Sequence, residues 1–188
     1  SLTRMFKSRG LRVATFASAG EFLESPREDA PACLILDVQM PEETGIELQQ
    51  KLLEREIALP VIFLTAHGDI PMTVQAMRSG AVDFFTKPVD QDQLVRAVRE
   101  AIERHATQRE EDAVVRDFRQ RVKTLTQRER QVLTLAIAGL LNKQIAYQLG
   151  VSEATIKAHV TAILRKMQVT NRTQAVLAVQ RLNTKEPG

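Results

Sequence analysis

Two rhythms of apolar residues divide the chain. Up to Lys87, short unbroken apolar runs alternate with stretches whose apolar residues recur every three or four positions. Cys33-Leu34-Ile35-Leu36 and Pro60-Val61-Ile62-Phe63-Leu64 are such runs, and Val82-Asp83-Phe84-Phe85-Thr86 is a near relative. Runs of this length without polar alternation predict strands covered on both faces, the usual state of a parallel sheet. Earlier, Arg12-Val13-Ala14-Thr15-Phe16 reads as a further short strand. Helices are predicted between these strands. Leu2, Met5 and Phe6 share one face before Gly10, and Ser18–Glu21 has capping-box spacing ahead of Phe22 and Leu23. Ile46, Leu48, Leu52 and Leu53 follow at helical spacing. Pro71 suits a first helical turn and Gly80 its stop, and Asp90 precedes Leu94, Val95, Val98 and Ile102. Alternating strand and helix predict an α/β unit with a parallel sheet.

After residue 105 the strand signal ends. Residues 106–123 are mostly charged or Gln, with Val114, Val115, Phe118 and Val122 at helical spacing. They predict a helical linker continuous with the helix before it, either a solvated spacer or a dimerising or interdomain helix. Thr126–Glu129 is a second capping box, opening a helix with Val132, Leu133, Ala136 and Ile137 inward. Asn142 begins a short helix that Gly150 ends, and Ser152 caps a longer one to about Met167. Thr170 or Asn171 caps the last, with Val176, Val179 and Leu182 inward. Four short helices, the middle pair joined by Leu149-Gly150-Val151-Ser152, predict an all-α helix-turn-helix unit. The expected division is 1–105, a linker 106–123, and 124–188.

The 188 residues are 44% hydrophobic and 26% charged, an ordinary globular composition. No apolar run approaches the roughly 20 residues that cross a bilayer, and no secretory signal opens the chain, so no membrane association is expected. The single cysteine, Cys33, excludes an internal disulfide and reads as core filler; with it a cytoplasmic location is expected. The net charge of +3 hides an asymmetry: residues 1–105 carry 12 Lys+Arg against 16 Asp+Glu, and residues 106–188 carry 14 against 7. An acidic half joined to a basic one suggests that the second meets a polyanion.

The three apolar runs deliver Asp37, Thr65 and Lys87 at their carboxyl ends, where open α/β sheets bind ligands. A carboxylate becomes a useful nucleophile when its target is already polarised, as in aspartyl-phosphate formation. Phosphoryl transfer asks mainly for positioning and for charge neutralisation on the equatorial oxygens. Lys87 suits one oxygen, and the Thr65 hydroxyl with the Ala66 N–H suits another. A divalent metal with hard oxygen ligands would supply the rest. His67, without a partner in the sequence, reads as an incidental loop residue.

Leu36-Asp37-Val38-Gln39-Met40-Pro41 with Gly45, then Leu64-Thr65-Ala66, then Gly80–Pro88, strongly resemble the receiver domain of bacterial two-component response regulators. Thr65–Pro88 is nearest to the FixJ-like branch. The resemblance implies a flavodoxin-like, doubly wound parallel sheet and phosphorylation of Asp37 by a sensor histidine kinase. It also implies Mg²⁺, with Asp37 and the Gln39 carbonyl as ligands. Thr65, Ala66 and Lys87 would then contact the phosphoryl group, and Phe84 would be the aromatic switch. The family also has a central first strand ending in an acidic pair, which nothing here matches. A sequence cut short at its N-terminus is expected; the alternative is a rearranged, phosphorylation-independent receiver.

In the basic half, the helix from Ser152 presents Lys157, Ala158 and Thr161 near its amino end, the part of a recognition helix that reaches base edges. Lys143, Thr155 and Lys166 suit phosphates. Thr126–Ala146 and Val151–His159 closely resemble the LuxR-type helix-turn-helix of the NarL/FixJ family, and His159 sits at that motif's recurring histidine, expected to pack or to meet phosphate. Taken together, the two resemblances imply a transcription regulator rather than an enzyme. Its expected partners are double-stranded DNA, a sensor histidine kinase, a second copy of itself when phosphorylated, and RNA polymerase.

Overall fold

The computed structural model describes residues 1–40, 43–66 and 70–184; Pro41 and His67 lie outside them. The chain forms two compact units, Ser1–Glu110 and Glu111–Gly188.

In the first unit, β1 (Leu34–Asp37), β2 (Val61–Thr65) and β3 (Asp83–Thr86) form a parallel sheet in that order. Leu36 pairs with Phe63, which pairs with Phe84, and Asp37 pairs with Leu64. Alternation along the strands sends successive side chains to opposite faces, and each face has its own core. Leu36, Val38 and Phe63 pack with Phe22 of α2 (Ala19–Glu24), Leu48 and Leu52 of α3 (Gly45–Glu54), and Ala76 of α4 (Ile70–Arg78). Ile62 and Leu64 pack with Phe6 of α1 (Leu2–Ser8) and with Leu94, Val95, Val98 and Ala101 of α5 (Gln91–Lys123). Helices on both faces of a parallel sheet make this the doubly wound α/β arrangement expected.

Three expectations need correction. Arg12–Phe16 is not a strand: among the described residues no strand lies beside it to complete a ladder, and Val13 instead packs at the margin of the α1–α5 core. β1 is less buried than expected: Leu34 and Leu36 pack on one face and Ile35 on the other, but at the edge of this sheet only Leu36 is buried, whereas all five residues of β2 are. Leu53 is exposed, because Leu48 and Leu52, four apart, take the inward row of α3 and Leu53 falls 100° round the helix.

Cys33 is half-buried against the α1–α5 core, and burial pushes its thiol up to about 12, consistent with inert packing. Further along α5, His105 is buried with Nδ1 3.0 Å from the Ala32 amide nitrogen and from its carbonyl oxygen. Arg109 pairs with Asp29. These contacts tie α5 to the segment that leads into β1.

The second unit holds α6 (Gln127–Ile137), α7 (Asn142–Leu149), α8 (Glu153–Met167) and α9 (Arg172–Thr184). Its core is Leu125, Val132, Leu133, Ile145, Ile156, Ile163, Met167 and Ala175, with Phe118 and Val122 of α5 packed against it. Thr126 accepts from the Glu129 N–H and Glu129 returns a bond to the Thr126 N–H, the reciprocal box expected. Ser152 caps α8 through the Thr155 N–H, and of the two candidates for α9 it is Asn171 that accepts from the Gln174 N–H. Gly150, at φ +66°, makes the left-handed end of α7 that lets the chain turn into α8.

Gly45 is required by close approach. A Cβ there would sit 2.4 Å from the Asp37 carbonyl oxygen and 3.0 Å from the Phe63 ring. Its N–H donates to the Val38 carbonyl at 3.0 Å, while Gln39 and Thr44 bridge beside it. Gly45→Ala is therefore expected to destabilise the first unit by about 1–3 kcal/mol through overpacking, read from urea unfolding of wild type and variant.

Candidate functional site

At the end of β1, Asp37 Oδ1 accepts a bond from the Gln39 N–H at 3.0 Å. β3 is separated from β1 by β2. The residue after β3 nevertheless stays in the ladder, since the Lys87 N–H donates to the Thr65 carbonyl at 2.7 Å. From there Lys87 Nζ reaches across to Asp37 Oδ2 at 2.5 Å. Both side chains remain open to solvent, 36% for Asp37 and 43% for Lys87. A carboxylate with one oxygen on a fixed N–H and the other on an ammonium is held and reachable at once.

The other residues singled out in this half sit around the pair. Thr65 is wholly buried at the end of β2, and Ala66 beyond it is exposed. Phe84 is half-buried, its ring centroid 6.4 Å from that of Phe63, on the face shared with Leu36. For a metal, Asp37 and the Gln39 carbonyl are oxygens of the right hardness. Among the described residues no group of three or more His, Cys, Asp or Glu gathers that could hold an ion. The ligand set in the described residues is incomplete for a hard cation of high coordination number.

In the second unit, Lys157, Ala158, Thr161 and Arg165 line the exposed side of α8. Thr161 donates to the Lys157 carbonyl at 3.0 Å, and Lys157 Nζ lies 3.6 Å from Glu153. Lys143 is exposed on α7, His159 is half-buried, and Thr155 Oγ1 is 2.8 Å from the capping Ser152 Oγ. The structure sets Lys166 apart from these. Its Nζ sits 3.0 and 2.7 Å from the two Glu129 oxygens, the carboxylate 7% exposed and the lysine 29%. Lys166 thus joins α8 to the cap of α6.

Glu129 was legible in the sequence only as half of a capping box; its bond to Lys166 spans 37 residues and leaves no local signal. Arg172 was missed altogether. Its guanidinium donates to Asn142 Oδ1 at 3.3 Å, to the Ala136 carbonyl at 3.1 Å and to the Leu140 carbonyl. Those three partners fix the turn between α6 and α7 to the start of α9. Arg128 similarly donates to the Leu149 carbonyl at 2.8 Å, at the end of α7. Tyr147, the one tyrosine of the chain, stands 91% exposed on α7; its place four residues after Lys143 was the available signal.

Comparison with known proteins agrees with both halves. Residues 1–99 match the response regulator receiver domain, and residues 123–179 match the bacterial regulatory proteins of the luxR family. The response regulator protein TodT of Pseudomonas putida is 43% identical over 182 residues, 97% of this chain and 80% of TodT. The chain belongs to the FixJ/TodT-type response regulators. The transcriptional regulatory protein FixJ of Rhizobium meliloti is 40% identical over 169 residues, covering 89% of this chain and 82% of FixJ. Among solved structures, the response regulator StyR superposes with a TM-score of 0.84 at 41% identity, covering 96% of this chain and 91% of StyR. Full-length FixJ from B. japonicum gives 0.55 at 34%, covering 98% and 91%. This response regulator therefore joins a receiver to a LuxR-type DNA-binding domain, and its relatives are regulators of transcription rather than enzymes. Among the described residues no helix is long and apolar enough to cross a membrane.

Burial raises the Glu129 carboxyl, but bonds from Lys166 and from the Thr126 N–H outweigh it, leaving Glu129 below the ordinary carboxylate value. A depressed folded value means stability that is present above the unfolded value and lost as pH falls through the folded one. Acid titration of the second unit's stability is expected to show that loss in wild type and not in Glu129→Gln. Lys166→Met, which strands the buried carboxylate, is expected to cost about 1–3 kcal/mol at neutral pH by thermal or urea unfolding.

Proposed function

We propose that the chain is a phosphorylation-controlled transcription factor in which Asp37 accepts a phosphoryl group from a sensor histidine kinase. The observation that carries this reading is the 2.5 Å contact between Lys87 Nζ and Asp37 Oδ2. A carboxylate oxygen of Asp37 forms the P–O bond as the P–N bond to the kinase histidine breaks. The leaving imidazole nitrogen keeps the electron pair and takes a proton. Lys87 then follows the new charge onto a phosphoryl oxygen, and the Ala66 N–H with the Thr65 hydroxyl donates to another. Thr65 is buried, so its engagement draws on the packing beneath it, and Phe84 follows into the space it leaves. Receiver domains generally bind Mg²⁺, and here Asp37 and the Gln39 carbonyl are the proposed donors.

Phosphorylation adds up to about two negative charges and favours a dimer through the α4–β3 face. Val74 and Met77 are exposed on α4, and an exposed apolar pair suits such a contact. Two recognition helices would then meet half-sites roughly 34 Å apart. In our reading residues 1–105 receive the signal, 106–123 link, and 124–188 bind DNA in the cytoplasm and engage RNA polymerase. Lys157, Ala158 and Thr161 read bases. Lys143, Thr155 and Lys166 meet phosphate, Thr155 also serving the cap of α8 and Lys166 also bonded to Glu129.

One rival is a DNA-binding regulator that ignores phosphorylation. Incubation with a small-molecule phosphodonor and Mg²⁺, followed by intact mass and sedimentation, separates the two. Wild type is expected to gain one phosphoryl group and dimerise, and Asp37→Asn to do neither; an unlabelled wild type or a labelled Asp37→Asn contradicts the phospho-switch. Lys157→Ala is expected to lose about 1–3 kcal/mol of discrimination at one base position while retaining non-specific binding, measured by selection from a random duplex pool.

A further inference from the structure

We infer that the exposed face of α7, centred on Tyr147, is a second contact with the DNA backbone, through a neutral hydroxyl rather than a cation. The inference rests on the reading of the second unit as a DNA-binding domain and adds, beside Lys143 on the same helix, an uncharged donor that the reading does not include.

Tyr147 is 91% exposed, more than any other exposed large hydrophobic described in the second unit, and it is not part of that unit's core. It borders an open groove of about 510 Å³ lined by Leu140, Lys143, Gln144, Tyr147 and Gln148. Lys143 and Tyr147 are four apart, as are Gln144 and Gln148, so they form two adjacent rows on one side of the helix. The inward side of α7 is taken by Ile145 and Ala146. Every polar group in the outward rows is a type that donates to phosphate oxygens: an ammonium, a phenol and two carboxamides.

Charge and position name the occupant. No carboxylate occurs between Glu129 and Glu153, so nothing acidic on α7 opposes a polyanion. α7 is the first helix of the helix-turn-helix, the one that crosses the backbone while the second enters the groove. The ring brings an apolar body and a hydroxyl tip. Placed beside Lys143, it spans the strand with its edge against sugar and its O–H on the phosphate next to the one Lys143 meets. Arg172, by fixing Asn142 and the α6–α7 turn, sets the angle at which this row meets the duplex.

A neutral donor has a signature that a cation lacks. Each Lys–phosphate contact contributes about 0.9 to the slope of log affinity against log salt, and a hydroxyl contributes none. The test uses the full chain, a duplex selected by wild type from a random pool, and an unrelated duplex, with affinities measured over a range of salt. Tyr147→Phe and Tyr147→Ala are expected to weaken both duplexes by the same factor, about three- to tenfold, with the salt slope unchanged. Lys143→Ala is expected to weaken both and to lower the slope by about 1. Helix content by circular dichroism should match wild type in all three, since both side chains are exposed. Three results would overturn the inference: affinities of the Tyr147 variants equal to wild type, loss confined to the selected duplex, or intact DNA binding with lost promoter activation, which would assign the face to a protein. A wild type that prefers no duplex and shows no salt-dependent binding fails earlier, because it removes the DNA-binding reading itself.

Discussion

The contact between Lys87 and Asp37 holds the first unit's purpose in one place. As a solvent-exposed ion pair it contributes little stability, on the order of 0–1 kcal/mol. What it contributes is position. The two residues belong to strands that do not touch, and β2 between them is buried along its whole length. The register of β2 against both neighbours therefore sets how far Lys87 must reach, and the missing side chain at Gly45 lets the following loop close against the Asp37 carbonyl. With one carboxylate oxygen on the Gln39 N–H and the other on Lys87, the Asp37 carboxylate is oriented in advance, as the proposed role of phosphoryl acceptor would need. Such orientation is what phosphoryl transfer chiefly requires of a protein.

In the second unit, polar clamps hold two of the cations against other helices. Lys166 and Arg172 would both count toward a basic surface in a tally of charges, yet each is bound to buried or backbone acceptors. Glu129 joins the cap of α6 to α8, and Arg172 joins α9 to the α6–α7 turn. These bonds cross between helices whose apolar contacts alone would allow small rotations, and so they set where Lys157, Ala158 and Thr161 point. Lys143 and Lys157 remain on exposed helix faces, and Tyr147 stands beside the first of them.

Much of this was legible in the residues because it is local. Apolar runs marked the three strands, Ser152 and Thr126 marked helix starts, and Gly150 marked the turn between the paired helices. Asp37, Thr65 and Lys87 were legible as a set because three strands ended on chemistry. What escaped was set by neighbours distant in sequence. Arg12–Phe16 has strand composition but no strand to pair with, and β1 has the composition of a central strand but lies at the edge of this sheet. Lys166 reads as a surface cation, and its bond to Glu129, 37 residues away, could not be read locally. The exposure of Tyr147 follows from what the core leaves uncovered, and its spacing from Lys143 was the one local sign of it.

Coupling the two units requires that phosphorylation shift an equilibrium. Moving a population from 1:99 to 99:1 needs about 5.5 kcal/mol of preference for the active state, well beyond what one exposed ion pair supplies. Rearrangement at Thr65 and Phe84 and burial of an apolar dimer face would have to provide most of it. The most direct measurement is the affinity of the full chain for its selected duplex with and without beryllofluoride and Mg²⁺, in wild type and in Asp37→Asn. Tighter binding on addition in wild type and no response in Asp37→Asn is the expected result. Equal affinity in both conditions for wild type, or an equal gain in Asp37→Asn, would contradict Asp37 as the switch.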